Sequence, residues 1–406
     1  TDPATVKYHL GKAVYIATQG RPGPVWIDLP IDIQGMVVDE EELNHFDLNE
    51  IGFTESGAAQ AASEQVQKVI ELLKGSSRPV ILAGSGIRQA KATDKFLELI
   101  ERLGIPVLTS RRGADVVPDD HPNFFGRPGT YGQRSANFIL QNCDLLISIG
   151  SRLSIPLIGR DTKAFARAAS LVMVDIDQAE LDKDTVDLHL KIRADAKVFL
   201  KELNRQLAQA ELGDQRWGKW VNQCQEWRVK YPVVLPEYKD QEGSVNSYHF
   251  VDVLSDVLGS DDVVVTDMGF AFQNIHQAIR VKQGQRVLTN CGLAPMGWGL
   301  PAAVGACIGS GKKRTVCVAG EGGLMMTIQE LATINHHKLP VKVFVLNNGG
   351  YLTIKQTQEL GFEERYMGID DDSGLSFPEH VIRVAEGEAG MLVPHGPGGR
   401  RSAFDP

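Results

Sequence analysis

The turn Gly320-Glu321-Gly322-Gly323 combines three glycines with a single acid. It follows an apolar, β-branched run, Thr315 to Ala319, and precedes an amphipathic one. A buried strand, a glycine turn and a helix start in that order aim the helix's first N–H groups at one spot, where they can hold a phosphate. An acid in the same turn would repel that phosphate unless a cation lay between them, so Glu321 implies Mg2+. The next apolar run ends at Asn347-Asn348, followed by Gly349-Gly350. Successive parallel strands end at the same edge of their sheet, where such sheets bind ligands. An amide oxygen and a loop carbonyl at that edge are hard ligands, and Mg2+ takes few protein ligands beside phosphate oxygens. The plainer reading of the same residues is a turn with a helix cap and a loop closing a buried strand.

Other motifs carry less. Gly84-Ser85-Gly86 follows a strand and opens a helix, but the third glycine of a dinucleotide loop falls at Gln89, so a tight turn is expected. Gly309-Ser310-Gly311-Lys312 lacks the earlier glycine of a phosphate loop, with Ala306 in its place, and has Lys313 where Ser or Thr is needed. His336-His337 lacks a third ligand at metal spacing and reads as a solvated helix end.

The elements around these residues read as α/β, doubly wound parallel sheets with flanking helices. Short apolar runs alternate with helix-period runs. The expected organisation is a helix–strand remnant over 1–40 (helix Val6 to Thr18, strand Val25 to Pro30), a polar linker over 41–65 and an α/β domain over 66–193. A helical connector over 194–246 leads to a second α/β domain over 247–386, and 387–406 is an irregular tail. The 406 residues carry 43% hydrophobic and 23% charged residues, ordinary for a globular protein. A net charge of −9, without a block of like charge, argues against nucleic acid. The five cysteines show no metal spacing and read as reduced, mostly buried thiols of a cytoplasmic protein. Val287 to Gly311 is uncharged, but Pro295, Pro301 and its glycines suit a buried loop and helix better than a membrane span. No leader follows Thr1.

Gly320-Glu321-Gly322, then 24 residues, then Asn347-Asn348 resembles the GDG and NN signature of thiamine-diphosphate enzymes. Gly20 to Pro30 resembles the end of the pyrimidine-binding domain of acetolactate synthase large subunits. Cys143 to Arg152, with Asp175-Ile176-Asp177, is similar to their Rossmann-like central domain, and Gly292 to Ala303 to their cofactor-gripping loop. The resemblance covers 1 to about 386.

It implies a thiamine-diphosphate and Mg2+-dependent enzyme that decarboxylates a 2-keto acid and joins carbons, converting two pyruvates to 2-acetolactate and CO2. Glu321, Asn348 and the main-chain oxygen of Gly350 would hold Mg2+. Gly269, Gly322, Gly323 and Tyr351 would lie against the cofactor, as would the backbone of Ala294. Met296 would sit under the thiazolium and bend the cofactor. A homodimer or tetramer is implied, with a regulatory subunit as a further partner and no membrane. The departures are Glu321 for the family's Asp, Gly269-Phe270-Ala271 for Gly-Gln-His, Thr357 for a substrate-selecting Trp, and Arg152 to Pro156 for Arg-Phe-Asp-Asp-Arg. The last two weaken the expectation of the synthases' FAD and of acetolactate as the product. The family's catalytic Glu lies upstream of Thr1, and its last helices lie beyond the far end, so the chain reads as a largely inactive part of a longer protein. The alternatives are a relative acting on another 2-keto acid or acyl substrate, or a non-catalytic cofactor-binding module.

Overall fold

The computed structural model describes residues 2–50, 55–210, 212, 216–374 and 390–394. Ten strands form two sheets. The first holds β1 (Pro79–Ala83), β2 (Val107–Thr109), β3 (Leu145–Ile149), β4 (Ser170–Asp175) and β5 (Leu190–Arg193), in the order β2-β1-β3-β4-β5. The second holds β6 (Val263–Thr266), β7 (Arg286–Thr289), β8 (Thr315–Gly320), β9 (Val341–Asn347) and β10 (Gly390–Pro394), in the order β10-β9-β8-β6-β7. Every pairing is parallel. The two orders are the same topology: the second strand lies on one side of the first, and the chain then crosses to the other side.

The central strands are buried along their whole length, so they read as continuous apolar runs instead of alternating ones. Alternation survives in three dimensions. Ile81 and Ala83 of β1 enter one core, with Leu73, Phe96 and Phe199 from helices Glu55–Gly75, Thr93–Leu103 and Ala196–Leu207. Val80 and Leu82 enter the other, with Ile139 and Trp220. In the second sheet Val264 faces Val251 and Ile275, while Val265 faces Leu300 and Ala303. Helices therefore cover both faces of each sheet, as a doubly wound fold requires.

Several expectations need correction. The first helix of the domain expected from residue 66 begins at Glu55, inside the expected linker, because its Ala-, Gln- and Glu-rich start favours helix without an apolar stripe. Val25 to Pro30 is exposed chain outside any strand; among the described residues no ladder partner lies beside it. Helix Ala196–Leu207, expected as connector, packs Phe199, Leu200 and Leu203 into the first core. Strands β5 and β7 were not anticipated. Gly390–Pro394 of the expected irregular tail pairs in parallel with β9; the rest of that tail lies outside the described residues. Among the described residues no helix is long and apolar enough to cross a membrane.

Buried polar pairs lock the two sheets' domains together. The Asp119 N–H donates to Val281 O at 2.8 Å, and Asp119 Oδ1 accepts the Val281 N–H at 3.1 Å. Arg127, fully buried, pairs with Asp119 and donates to Ile279 O at 3.2 Å. Asp115 accepts from Arg286 Nε at 2.9 Å and from the Val287 N–H at 3.1 Å. Removing one member of such a pair strands the other charge. Arg127→Met is expected to lower stability by about 3–5 kcal/mol in urea unfolding, and Asp119→Asn in that background to recover part of it. A loss under about 1 kcal/mol would contradict a keyed interface.

Candidate active site

In a doubly wound sheet the loops diverge where the winding reverses, outside the carboxyl ends of the two strands that flank the reversal. The first sheet has this point between β1 and β3. There the chain closes on itself: a Cβ at Gly84 would lie 2.0 Å from Gly150 O, and one at Gly86 would lie 2.7 Å from Gly150 Cα. The Gly86 N–H donates to Gly150 O at 3.0 Å. These glycines thus serve a loop-to-loop backbone contact, consistent with the tight-turn reading.

The second sheet has the same point between β6 and β8, and there a cleft of about 350 Å3 opens. Gly269, Ala294, Met296, Glu321, Gly322, Gly323, Asn348, Gly350 and Tyr351 all line it. The sequence places these residues on four separate segments, and the sheet brings them together. Thr357 is not among the lining residues; it is exposed on helix Leu352–Gly361 and donates to Thr353 O. His336 and His337 are exposed at the end of helix Glu330–His336.

Glu321 reaches from the end of β8 to the loop after β9. Its Oε1 accepts the N–H of Asn348 at 3.1 Å and of Gly350 at 2.9 Å. Burial is the largest influence on this carboxyl and pushes it above the ordinary glutamate range, while those N–H groups pull it back. One end of the Asn348 side-chain amide lies 3.1 Å from Glu321 Oε1 and 2.6 Å from Gly350 O. With its nitrogen there, the amide donates to both. With its oxygen there, three oxygens face one another, and a cation is needed to hold them. An octahedron of oxygens at 2.0–2.1 Å from Mg2+ has edges of about 2.9 Å, close to these spacings. One carboxylate, one amide and one carbonyl therefore fit Mg2+, which completes its shell with phosphate or water. Asn347 instead shapes the turn, its Oδ1 accepting the Gly349 N–H at 3.2 Å.

The glycines beside Glu321 are required by close approach. A Cβ at Gly322 would meet the Tyr351 ring at 2.2 Å, and one at Gly323 would meet Asp267 Oδ2 at 2.3 Å. Asp267 was missed in the sequence. It follows β6, is 1% exposed, and accepts the Met268 N–H at 2.8 Å through Oδ1 and the Gly297 N–H at 3.1 Å through Oδ2. It thereby fixes the loop carrying Ala294 (φ +53°) and Met296 against the start of helix Gly299–Gly309. The available signal was an acid ending a β-branched run at a parallel strand's carboxyl end. Arg111, Tyr131 and Cys291, also missed, line the same cleft.

Gly322→Ala should cost about 1–3 kcal/mol in stability, the range for forcing an atom into packed space, and Tyr351→Ala should remove most of that penalty. Unfolding of the two single variants and the double variant checks this. A full, additive penalty in the double variant would contradict the contact.

Two family descriptions match the chain: "Thiamine pyrophosphate enzyme, central domain" over residues 66–203 and "Thiamine pyrophosphate enzyme, C-terminal TPP binding domain" over residues 267–391. A probable acetolactate synthase large subunit of Methanococcus aeolicus is 31% identical over 385 residues, 92% of this chain and 63% of the relative. The acetolactate synthase isozyme 1 large subunit of Escherichia coli K12 is 33% identical, over 87% of this chain and 60% of its own. The Lactococcus lactis acetolactate synthase large subunit is also 33% identical, over 87% and 59%. The chain thus spans somewhat under two thirds of the length of these relatives. On both family matches and on these relatives, the chain belongs to the thiamine pyrophosphate enzymes.

Proposed function

We propose that the cleft binds thiamine diphosphate through a divalent cation, Mg2+, and serves 2-keto acid decarboxylation with carboligation of the acetolactate synthase type. The observation that carries this reading is the convergence of Glu321, the Asn348 amide and Gly350 O at the switch point of the second sheet. When bound there, the cofactor supplies the electron sink for losing CO2 from a 2-keto acid.

The chain's own residues hold and shelter it. Glu321, Asn348 and Gly350 are the cation's ligands, and the N–H groups of Gly322 and Gly323, at a helix start, serve the diphosphate. Met296 and the Ala294 backbone sit on a loop that Asp267 ties to the cleft floor. Gly269, at φ +76°, and Tyr351 complete the wall. Nothing in the scheme draws on FAD. Leu293, 92% exposed, and the exposed Met325 and Met326, with Met326 beside Gly297, are apolar surface, in keeping with the homodimer or tetramer expected of the longer protein.

Glu321→Gln separates charge from shape, because its amide oxygen can still accept the Asn348 and Gly350 N–H groups. Calorimetric titration of thiamine diphosphate should show binding that Mg2+ supports and EDTA abolishes in the wild type. Glu321→Gln should weaken the Mg2+-dependent part about tenfold or more, the scale on which perturbing a metal site lowers affinity. Undiminished, EDTA-insensitive binding to the Gln variant would overturn the metal assignment.

A further inference from the structure

Arg111 enters the same cleft from the first sheet's domain, just beyond β2. Its guanidinium lies over the rings of Tyr131 and Phe272, 5.4 Å from each centroid. Tyr131 belongs to the first domain and Phe272 to helix Phe270–Ala278 of the second, so the cation sits where the two domains meet. A guanidinium has five N–H donors and no acceptor. Nη2 donates to Pro156 O at 3.3 Å. Nε is buried and has no hydrogen-bond partner, a costly state for a charged donor. No carboxylate among the described residues pairs with it, and the titratable groups that feel its charge are Cys291, Tyr131 and His276. The site therefore has a partly desolvated cation at the cleft wall, beside two rings, with one sealed donor unpaired and no carboxylate among the described residues to compensate it.

Such a group calls for an anion. The two rings neutralise none of its charge, and a guanidinium's N–H fork matches two oxygens of a planar acceptor. The diphosphate would have its own donors in the N–H groups of Gly322 and Gly323, on the second sheet's domain. We propose that Arg111 receives the carboxylate of the 2-keto acid and so selects anionic over neutral carbonyl substrates. This rests on the cofactor reading for the substrate's identity, while the anion site stands on Arg111's own geometry.

The test is calorimetric titration of the full chain with pyruvate, first without and then with thiamine diphosphate and Mg2+. The uncharged butane-2,3-dione serves as a probe of similar shape. Arg111→Met should weaken pyruvate about tenfold or more, the scale of a lost charged hydrogen-bonding partner, with butane-2,3-dione and thiamine diphosphate unchanged. Arg111→Lys keeps the charge but loses the fork and should fall between. Added salt should weaken pyruvate in the wild type and in Arg111→Lys but not in Arg111→Met. Equal pyruvate binding by wild type and Arg111→Met, an equal loss of both carbonyl compounds, or no pyruvate binding to the wild type would overturn the inference. Loss of thiamine diphosphate instead would assign Arg111 to the phosphates and also overturn it. Arg111-dependent pyruvate binding by a wild type that takes no thiamine diphosphate would sink the cofactor proposal and leave the anion site standing. Should Arg111→Met not fold, judged by circular dichroism, Arg111→Lys and Arg111→Gln carry the comparison.

Discussion

What fills the gap where the winding of a parallel sheet reverses governs everything else in this molecule. Both sheets have the same strand order, so both have such a gap. In the first, Gly84 and Gly86 let one loop lie directly on Gly150, and backbone meets backbone. In the second, an acid follows each flanking strand. Asp267 takes the N–H of Gly297, and Glu321 takes those of Asn348 and Gly350. Each carboxylate draws in a different loop, and the two loops become the sides of a cleft. One topology thus yields a packed scaffold in one half and a binding site in the other.

Holding two acids beside one cleft has an electrostatic consequence. Burial disfavours the charged form of both and pushes both above the ordinary carboxylate range, while backbone N–H groups oppose the shift. Asp267 is nearly sealed and acts on protein N–H groups, which makes it a positioning residue. Glu321 shares its corner with an amide and a carbonyl, and among the described residues no Lys or Arg forms an ion pair with it. The divalent cation proposed for this corner would supply the opposite charge, with phosphate oxygens free to join its shell. The glycines on either side keep this arrangement tight, since Tyr351 and Asp267 occupy the space side chains would need.

Much of this was legible in the sequence because buried parallel strands advertise themselves. β1, β3, β8 and β9 are predominantly apolar runs, broken only by single residues such as Ser148 and Lys342, and Glu321 and Asn348 follow two of them. Other elements hid for local reasons. β7 is only half buried and opens with Arg286, so its run is weak. Gly390–Pro394 is too short for a period to show. The start of helix Glu55–Gly75 depends on Ala and Glu propensity, which resembles a polar linker. Asp267 looks like the polar stop that ends any strand, and its role depends on Gly297, thirty residues away in the chain. Arg111 was further out of reach, because the interface of Asp115, Asp119 and Arg127 with residues 279–287 is what brings it to the cleft.

The cation at the Glu321 corner carries the central claim, and Mn2+ can report it directly. A crystal of the protein grown with thiamine diphosphate and Mn2+, measured at the manganese absorption edge, would locate the metal by its anomalous signal. One strong peak is expected about 2.2 Å from a Glu321 carboxylate oxygen, Asn348 Oδ1 and Gly350 O, with a diphosphate oxygen in the same shell, since Mn2+ shares the oxygen preference of Mg2+ at slightly longer bonds. Thiamine diphosphate bound in the cleft with no peak at that corner, or with manganese held elsewhere, would contradict it.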